Sequence, residues 1–213
     1  MIDAYAAGDV SSCVSLVPRE SRISTISGRI LHGENKLVYL QQITDGGDKT
    51  LDSVKTENDG TFKMKNPAKA NPDFYVLRTN EANVVFLVLR KGESVAIEGD
   101  ANNLERTYTV KGSKDSELLL ALRAKDRNLT DSLNKVYTDI RNNDPSKADS
   151  AGSVLQGYYS SMMESFSRDM ITHNLSSIVS LSATKFLNQQ TSLDLMTQLE
   201  DSLKEAFPDN QYV

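Results

Sequence analysis

Tyr108-Thr109-Val110-Lys111-Gly112-Ser113-Lys114-Asp115-Ser116-Glu117-Leu118 is the stretch on which the reading of this chain turns. Before Gly112 the apolar residues favour alternate positions, the period of a strand whose side chains point to two faces by turns. After it they recur every third or fourth residue, the period of a helix. Ser113 stands where an N-cap belongs, and Asp115 and Glu117 fall in a first turn, where the helix dipole favours negative charge. Leu118, Leu122, Leu129, Leu133, Val136 and Ile140 then make one narrow stripe, which predicts a long helix ending near Asn142-Asn143.

Downstream, Asp144-Pro145 reads as a new N-cap followed by proline at the first helical position. A second helix is expected to run to about Thr172. Its Leu155, Tyr158, Tyr159, Met162, Met163, Phe166 and Met170 go nearly all round it, as on a helix clasped between neighbours; a Met-rich partner face is the alternative. Asn174-Leu175-Ser176-Ser177 breaks and restarts the chain. A third helix from Ile178 to about Gln189 turns Val179, Ala183, Phe186 and Leu187 inward. Thr191 to Asp194 fits a Thr-x-x-acid capping box. It opens a fourth helix along Leu195, Leu199, Leu203 and Phe207, which Pro208 stops.

Upstream, the pattern from about Arg22 to Val110 is that of strands. Ile23, Thr25 and Ser27 alternate with Ser24, Ile26 and Gly28, and Lys36-Leu37-Val38-Tyr39-Leu40 follows. Leu51 to Lys55 and Thr61 to Lys65 flank Asn58-Asp59-Gly60 and are expected to pair as a hairpin, because an Asp-Gly step between alternating runs is its strongest local signal. Phe74 to Leu77, the continuously apolar Val84 to Leu89, Ser94 to Gly99 and Tyr108 to Val110 complete the set. The Val84 run predicts a central strand buried on both faces. About eight short strands with turns every 8–12 residues point to an antiparallel sandwich or barrel. The expected class is therefore segregated α+β: a flexible leader over 1–21, an antiparallel β-sandwich over 22–112, and a region of about four helices over 113–213.

Composition sets further bounds. The chain has 213 residues, a net charge of −5 and one cysteine, Cys13. An acidic balance argues against a nucleic-acid footprint, and no stretch reaches the 18–20 apolar residues of a membrane helix. A single thiol excludes an internal disulfide, a Cys-x-x-Cys redox pair and a Cys-rich zinc site. Val10-Ser11-Ser12-Cys13 has the form of a bacterial lipoprotein cleavage box, which would make Cys13 a lipid-attachment residue. Against that, Asp3, Gly8 and Asp9 precede it and no Lys or Arg occurs before Arg19, so the basic start and apolar run of a signal segment are missing. A plain leader is the other reading.

No residue set reads as a catalytic, cofactor-binding or metal site. His32 and His173 lie in different halves, and no Gly-x-Ser-x-Gly elbow or phosphate loop is present. Asp45-Gly46-Gly47-Asp48 and Asn58-Asp59-Gly60 do not extend into a twelve-residue calcium loop, so turn chemistry explains both. Asn128-Leu129-Thr130 and Asn174-Leu175-Ser176 are glycosylation sequons by pattern only.

Taken in order, several segments resemble a known arrangement. They are Ile26-Ser27-Gly28-Arg29-Ile30, Val38-Tyr39-Leu40, Asp52-Ser53-Val54 leading to Asp59-Gly60-Thr61-Phe62, Phe74-Tyr75-Val76-Leu77, Leu87-Val88-Leu89-Arg90-Lys91-Gly92-Glu93, Val95 to Asp100, and Tyr108 to Ser113. Together they resemble the N-terminal domain of unknown function that precedes thioredoxin-like thiol-disulfide oxidoreductases (TlpA/ResA type) of Gram-negative anaerobes. The helical part resembles the spacer of those proteins. Asn174 to Val179 is similar to their Asn-Pro-x-Ser-x-Val stretch, with Leu175 in place of proline, and Phe207 to Val213 resembles the segment just before the thioredoxin-like domain. The family's Trp-Cys-x-x-Cys lies further on, so no redox residue carries over.

The resemblance implies an N-terminal, non-catalytic accessory region of a cell-envelope enzyme, periplasmic, with Cys13 as the candidate lipid anchor in the full-length parent. It would position a downstream thioredoxin-like domain in cis, pair two copies, or dock client proteins. This chain alone is expected to be no enzyme and to need no cofactor. The alternatives are a stand-alone carbohydrate- or peptide-binding sandwich, marked by exposed aromatics on one sheet face, and a hydrolase with dispersed residues, marked by a pocket holding a histidine beside a carboxylate and a serine.

Overall fold

The computed structural model describes residues 24–212; the leader and Cys13 lie outside them. Eight strands are present: β1 (Thr25–Leu31), β2 (Leu37–Gln42), β3 (Lys49–Lys55), β4 (Thr61–Lys65), β5 (Asp73–Arg78), β6 (Val84–Leu89), β7 (Val95–Asp100) and β8 (Thr109–Lys111). They form two four-stranded sheets, β4-β1-β7-β8 and β3-β2-β5-β6. Alternation decides which side chains meet between the sheets. Ile26, Ile30, Phe62, Met64, Val95 and Ile97 come from the first, and Val38, Leu40, Tyr75, Leu77, Leu87 and Leu89 from the second. The class is segregated α+β: apart from one short helix between β7 and β8, the strands come first and the helices after them.

Three pairings differ from expectation. The Asn58-Asp59-Gly60 segment does turn the chain: the Glu57 N–H donates to Thr61 O at 2.8 Å and the Gly60 N–H to Glu57 O at 3.0 Å. Gly60 takes φ +79° there, and an added Cβ would lie 2.2 Å from Ile30 O. Yet no ladder follows, because β3 pairs with β2 and β4 pairs with β1. The turn is a corner that carries the chain from one sheet to the other. Each strand joins a more apolar neighbour, and β3 and β4 end on the edges of opposite sheets. Second, β1 and β7 run parallel, in a fold otherwise paired antiparallel. Third, β6 is an edge strand, not a central one. It is apolar throughout because Val85, Leu87 and Leu89 enter the sandwich core, while Phe86 and Val88 belong to a second core under the helices.

A short helix the periodicity missed, α1 (Leu104–Thr107), bridges β7 and β8. After Gly112 come α2 (Lys114–Asn143), a 3₁₀ turn at Pro145–Lys147, α3 (Ala148–His173), α4 (Val179–Thr184) and α5 (Leu193–Ala206). Gly112 is required at the junction: its φ is +94°, and a Cβ would sit 2.2 Å from Ser94 O. Ser113 caps α2 as expected, its Oγ accepting the Ser116 N–H. The Thr191 capping box does not form. Ser192 is the N-cap of α5, and its hydroxyl instead accepts from Arg168 at 2.8 Å. The third helix is also shorter than its apolar pattern predicts, ending at Thr184.

The helices pack on the outer face of β5 and β6, where Leu122, Met163, Ile171, Ile178, Val179 and Leu199 form one buried core with Val88. The encircling apolar set on α3 divides. Met163 and Met170 are buried, while Tyr158, nearer the tip of the α2–α3 pair, is half exposed.

Candidate functional site

Both histidines sit at the surface. The His32 Nδ1 lies 3.0 Å from Asp100 Oδ1 and 3.1 Å from Asn102 Nδ2. Asp100 is held below the usual carboxylate range, first by the Asn102 backbone N–H and then by His32. His173 bonds within its own helix, 2.8 Å from Asp169 O. Among the described residues no hydrogen bond joins either imidazole to a serine hydroxyl, and no three His, Cys, Asp or Glu side chains converge as metal ligands would. The two acidic turns are internally satisfied: Asp48 pairs with Arg78, and Asp59 accepts the Thr61 N–H at 3.0 Å and its hydroxyl at 2.7 Å. Asp59 is accordingly held low, chiefly by the Thr61 hydroxyl.

Two other places bring distant residues together. The first is the N-terminus of α2. An edge strand presents backbone groups with no sheet partner, and buried ones need another. Here Ser116 Oγ accepts the Val88 N–H at 3.0 Å and donates to Val88 O at 2.8 Å, while Ser113 Oγ also donates to Val88 O at 2.8 Å. Beside them Asp115, a buried carboxylate, accepts the Ser177 hydroxyl at 2.6 Å and pairs with Arg90 at 3.2 Å. The Ser177 Oγ also accepts the Val179 N–H, so the Asn174–Ser177 break that restarts the helices is tied to the end of β6 and the start of α2.

The second is the segment after α5. Asn210, buried, donates from Nδ2 to Pro72 O at 2.9 Å. Tyr212 donates its hydroxyl to Asp73 Oδ1 at 2.8 Å and packs edge-on against Phe74, ring centroids 5.3 Å apart. Asn210 Oδ1 in turn accepts the Tyr212 N–H at 3.0 Å. Burial, with Asp73 beside it, pushes the Tyr212 phenol up to about 12. The last residues are thus seated on the start of β5. Sequence reading found Ser113 from its capping position and Asp115 as a first-turn acid, but missed Asp115's bond to Ser177 and the roles of Ser116 and Asn210, which need partners 62, 28 and 138 positions away.

The fold is that of a two-sheet sandwich whose second sheet carries a helical layer, with its chemistry spent on clamps between elements. In line with this, residues 24–119 match the family model described as a domain of unknown function, DUF4369. The matched region runs past Gly112 and takes in Ser113, Asp115 and Ser116, the residues that close the edge of β6. No curated protein matches the chain. Among the described residues, no helix is long and apolar enough to cross a membrane.

Proposed function

We propose that this chain is a non-catalytic accessory region of a cell-envelope thiol-disulfide oxidoreductase, and that its task is to hold a following thioredoxin-like domain in a set position. The observation that carries the reading is the seating of Asn210 and Tyr212 on Pro72, Asp73 and Phe74. In the resembled family this segment leads into the catalytic domain, so a domain placed after it would leave the sandwich at a defined point and not from a loose tether. The match over residues 24–119 to a domain of unknown function supports the N-terminal part of that resemblance. Pairing of two copies and docking of clients belong to the proposal as further uses of the helical layer, as does attachment to a membrane through Cys13.

With one cysteine, the chain cannot cycle as a dithiol pair. Incubated with insulin and dithiothreitol, it is expected to accelerate insulin precipitation no more than buffer does; catalytic turnover would sink the assignment. The coding sequence beyond Val213 supplies the complementary check, a Cys-x-x-Cys within about 100 residues, the span of one small domain. The sheet-grip alternative has little support, since the exposed large aromatic among the described residues is Tyr158, on α3 and not on a sheet.

A further inference from the structure

A cleft of about 510 Å³ opens between α1 and α2 on one side and α4 on the other, over the outer face of β5 and β6. That volume lies within the range of small-molecule sites, roughly 300–1,000 Å³. Its floor is aromatic, built from Phe74, Phe86 and Phe186. The Arg123 guanidinium sits over Phe86, 3.7 Å from the ring centroid, so the cleft carries a cationic platform. The Arg123 NH2 is held by Glu105 at 2.8 Å, which fixes the platform in place.

Charge around the rim is unevenly compensated. Four cationic side chains face three carboxylates, on a chain whose net charge is −5. Two of the carboxylates are engaged: Asp131 with Arg106, and Glu105 with Arg123. Asp126 accepts the Tyr159 hydroxyl at 2.7 Å. Among the described residues, Arg127 and Lys185 have no carboxylate within ion-pair distance; Arg127 reaches the Glu105 backbone carbonyl at 2.9 Å, and the Lys185 ammonium lies over the Phe186 ring, 4.6 Å from its centroid. They come from opposite walls, α2 and the C-terminal cap of α4. Three phenylalanine rings beside two cations that form no ion pair are complementary to one kind of molecule. It has a flat apolar body and a single anionic head.

We infer that this cleft is a binding site for a small aromatic carboxylate, its ring on the Phe86–Arg123 platform and its head held by Arg127 and Lys185. Asp126, already bonded to the Tyr159 hydroxyl, sets a limit on the class, since it would repel a second carboxylate on the same molecule. The site is independent of the accessory role proposed above and uses none of its residues except Phe74.

The test uses 3-phenylpropionate as probe and 3-phenylpropylamine, the same body with a cationic head, as control, each titrated into the full chain and followed by amide chemical shifts. Saturable shifts centred on Phe86, Arg123, Ser182 and Phe186 are expected for the acid and not for the amine. Lys185→Gln should weaken the acid at least threefold and Arg127→Gln with Lys185→Gln at least tenfold, with unchanged thermal melts. Should Arg127→Gln unfold the chain through its lost bond to Glu105, Lys185→Gln alone decides, because it removes no ion pair. No saturable binding, equal binding of the amine, shifts centred elsewhere, or wild-type affinity in the substituted chains would overturn the inference.

Discussion

Ser116 shows how much a single hydroxyl does in this fold. Its Oγ accepts from and donates to the two backbone groups of Val88, and both residues are fully buried. A buried N–H left without a partner costs about 1–3 kcal/mol. Ser116→Ala is therefore expected to lower stability by that amount, read as a lower urea midpoint with an unchanged slope. A loss under about 0.5 kcal/mol would mean that the hydroxyl is not what satisfies the strand, since that is the scale of an ordinary surface change. Ser113→Ala should cost about 1 kcal/mol, the usual worth of an N-cap, because Val88 O keeps its bond to Ser116.

At the scale of elements, helix length and strand length set what is covered. A 30-residue helix spans about 45 Å, whereas a six-residue strand spans about 20 Å. α2 and α3 therefore outrun the sheet they pack on, which is why Val136, Val154 and Tyr158 are exposed although the sequence pattern turns Val136 inward. The segment after α5 is held by closer chemistry. Burial raises the phenols of Tyr75, Tyr159 and Tyr212 to about 12, with Asp73 or Asp126 adding to it. Their unfolded value is near 10. A raised acid binds its proton more tightly in the folded state, so the stabilisation is complete below pH 10 and drains away between pH 10 and 12. Stability should fall across that window, with the buried Tyr108 phenol, also raised, adding to the fall, and Tyr212→Phe should make it shallower by removing one of the four titrations. Melting temperatures measured from pH 8 to 12 check this; an unchanged slope in the variant would count against a protonated Tyr212 as the anchor.

For the whole molecule, the sandwich and the helices share a sheet. Phe74, Phe86 and Val88 face the helical core, and the edge of β6 is closed by residues of α2. A fragment cut at Gly112 would expose that face and leave the Val88 backbone without its serines. Residues 24–112 alone are expected to associate or to melt without cooperativity, while 24–212 should run as a compact species on size exclusion. A monomeric fragment with a sharp melt would refute the dependence of the sandwich on its helical cover.

Most elements were legible before any coordinates. Ile26, Ile30, Val38 and Leu40 mark their strands by alternation, and Ser113 marks the start of α2, because period and capping are properties of a few neighbouring residues. The corner at Gly60 was half legible: its turn chemistry is local, but whether two strands then pair depends on what else competes for them. The clamps and the cleft were not legible, since Asp115 with Ser177, Asn210 with Pro72 and Phe86 with Arg123 meet only across whole strands and helices of intervening chain.

What the sequence determined by itself is the order strands-then-helices, the boundary at Gly112 and the face each strand buries. What only the tertiary structure decided is which strands are neighbours, that β6 lies at an edge, and where the last residues rest. The physical reason is that periodicity reports that a face is hidden from water, whereas pairing and docking depend on which distant surface hides it.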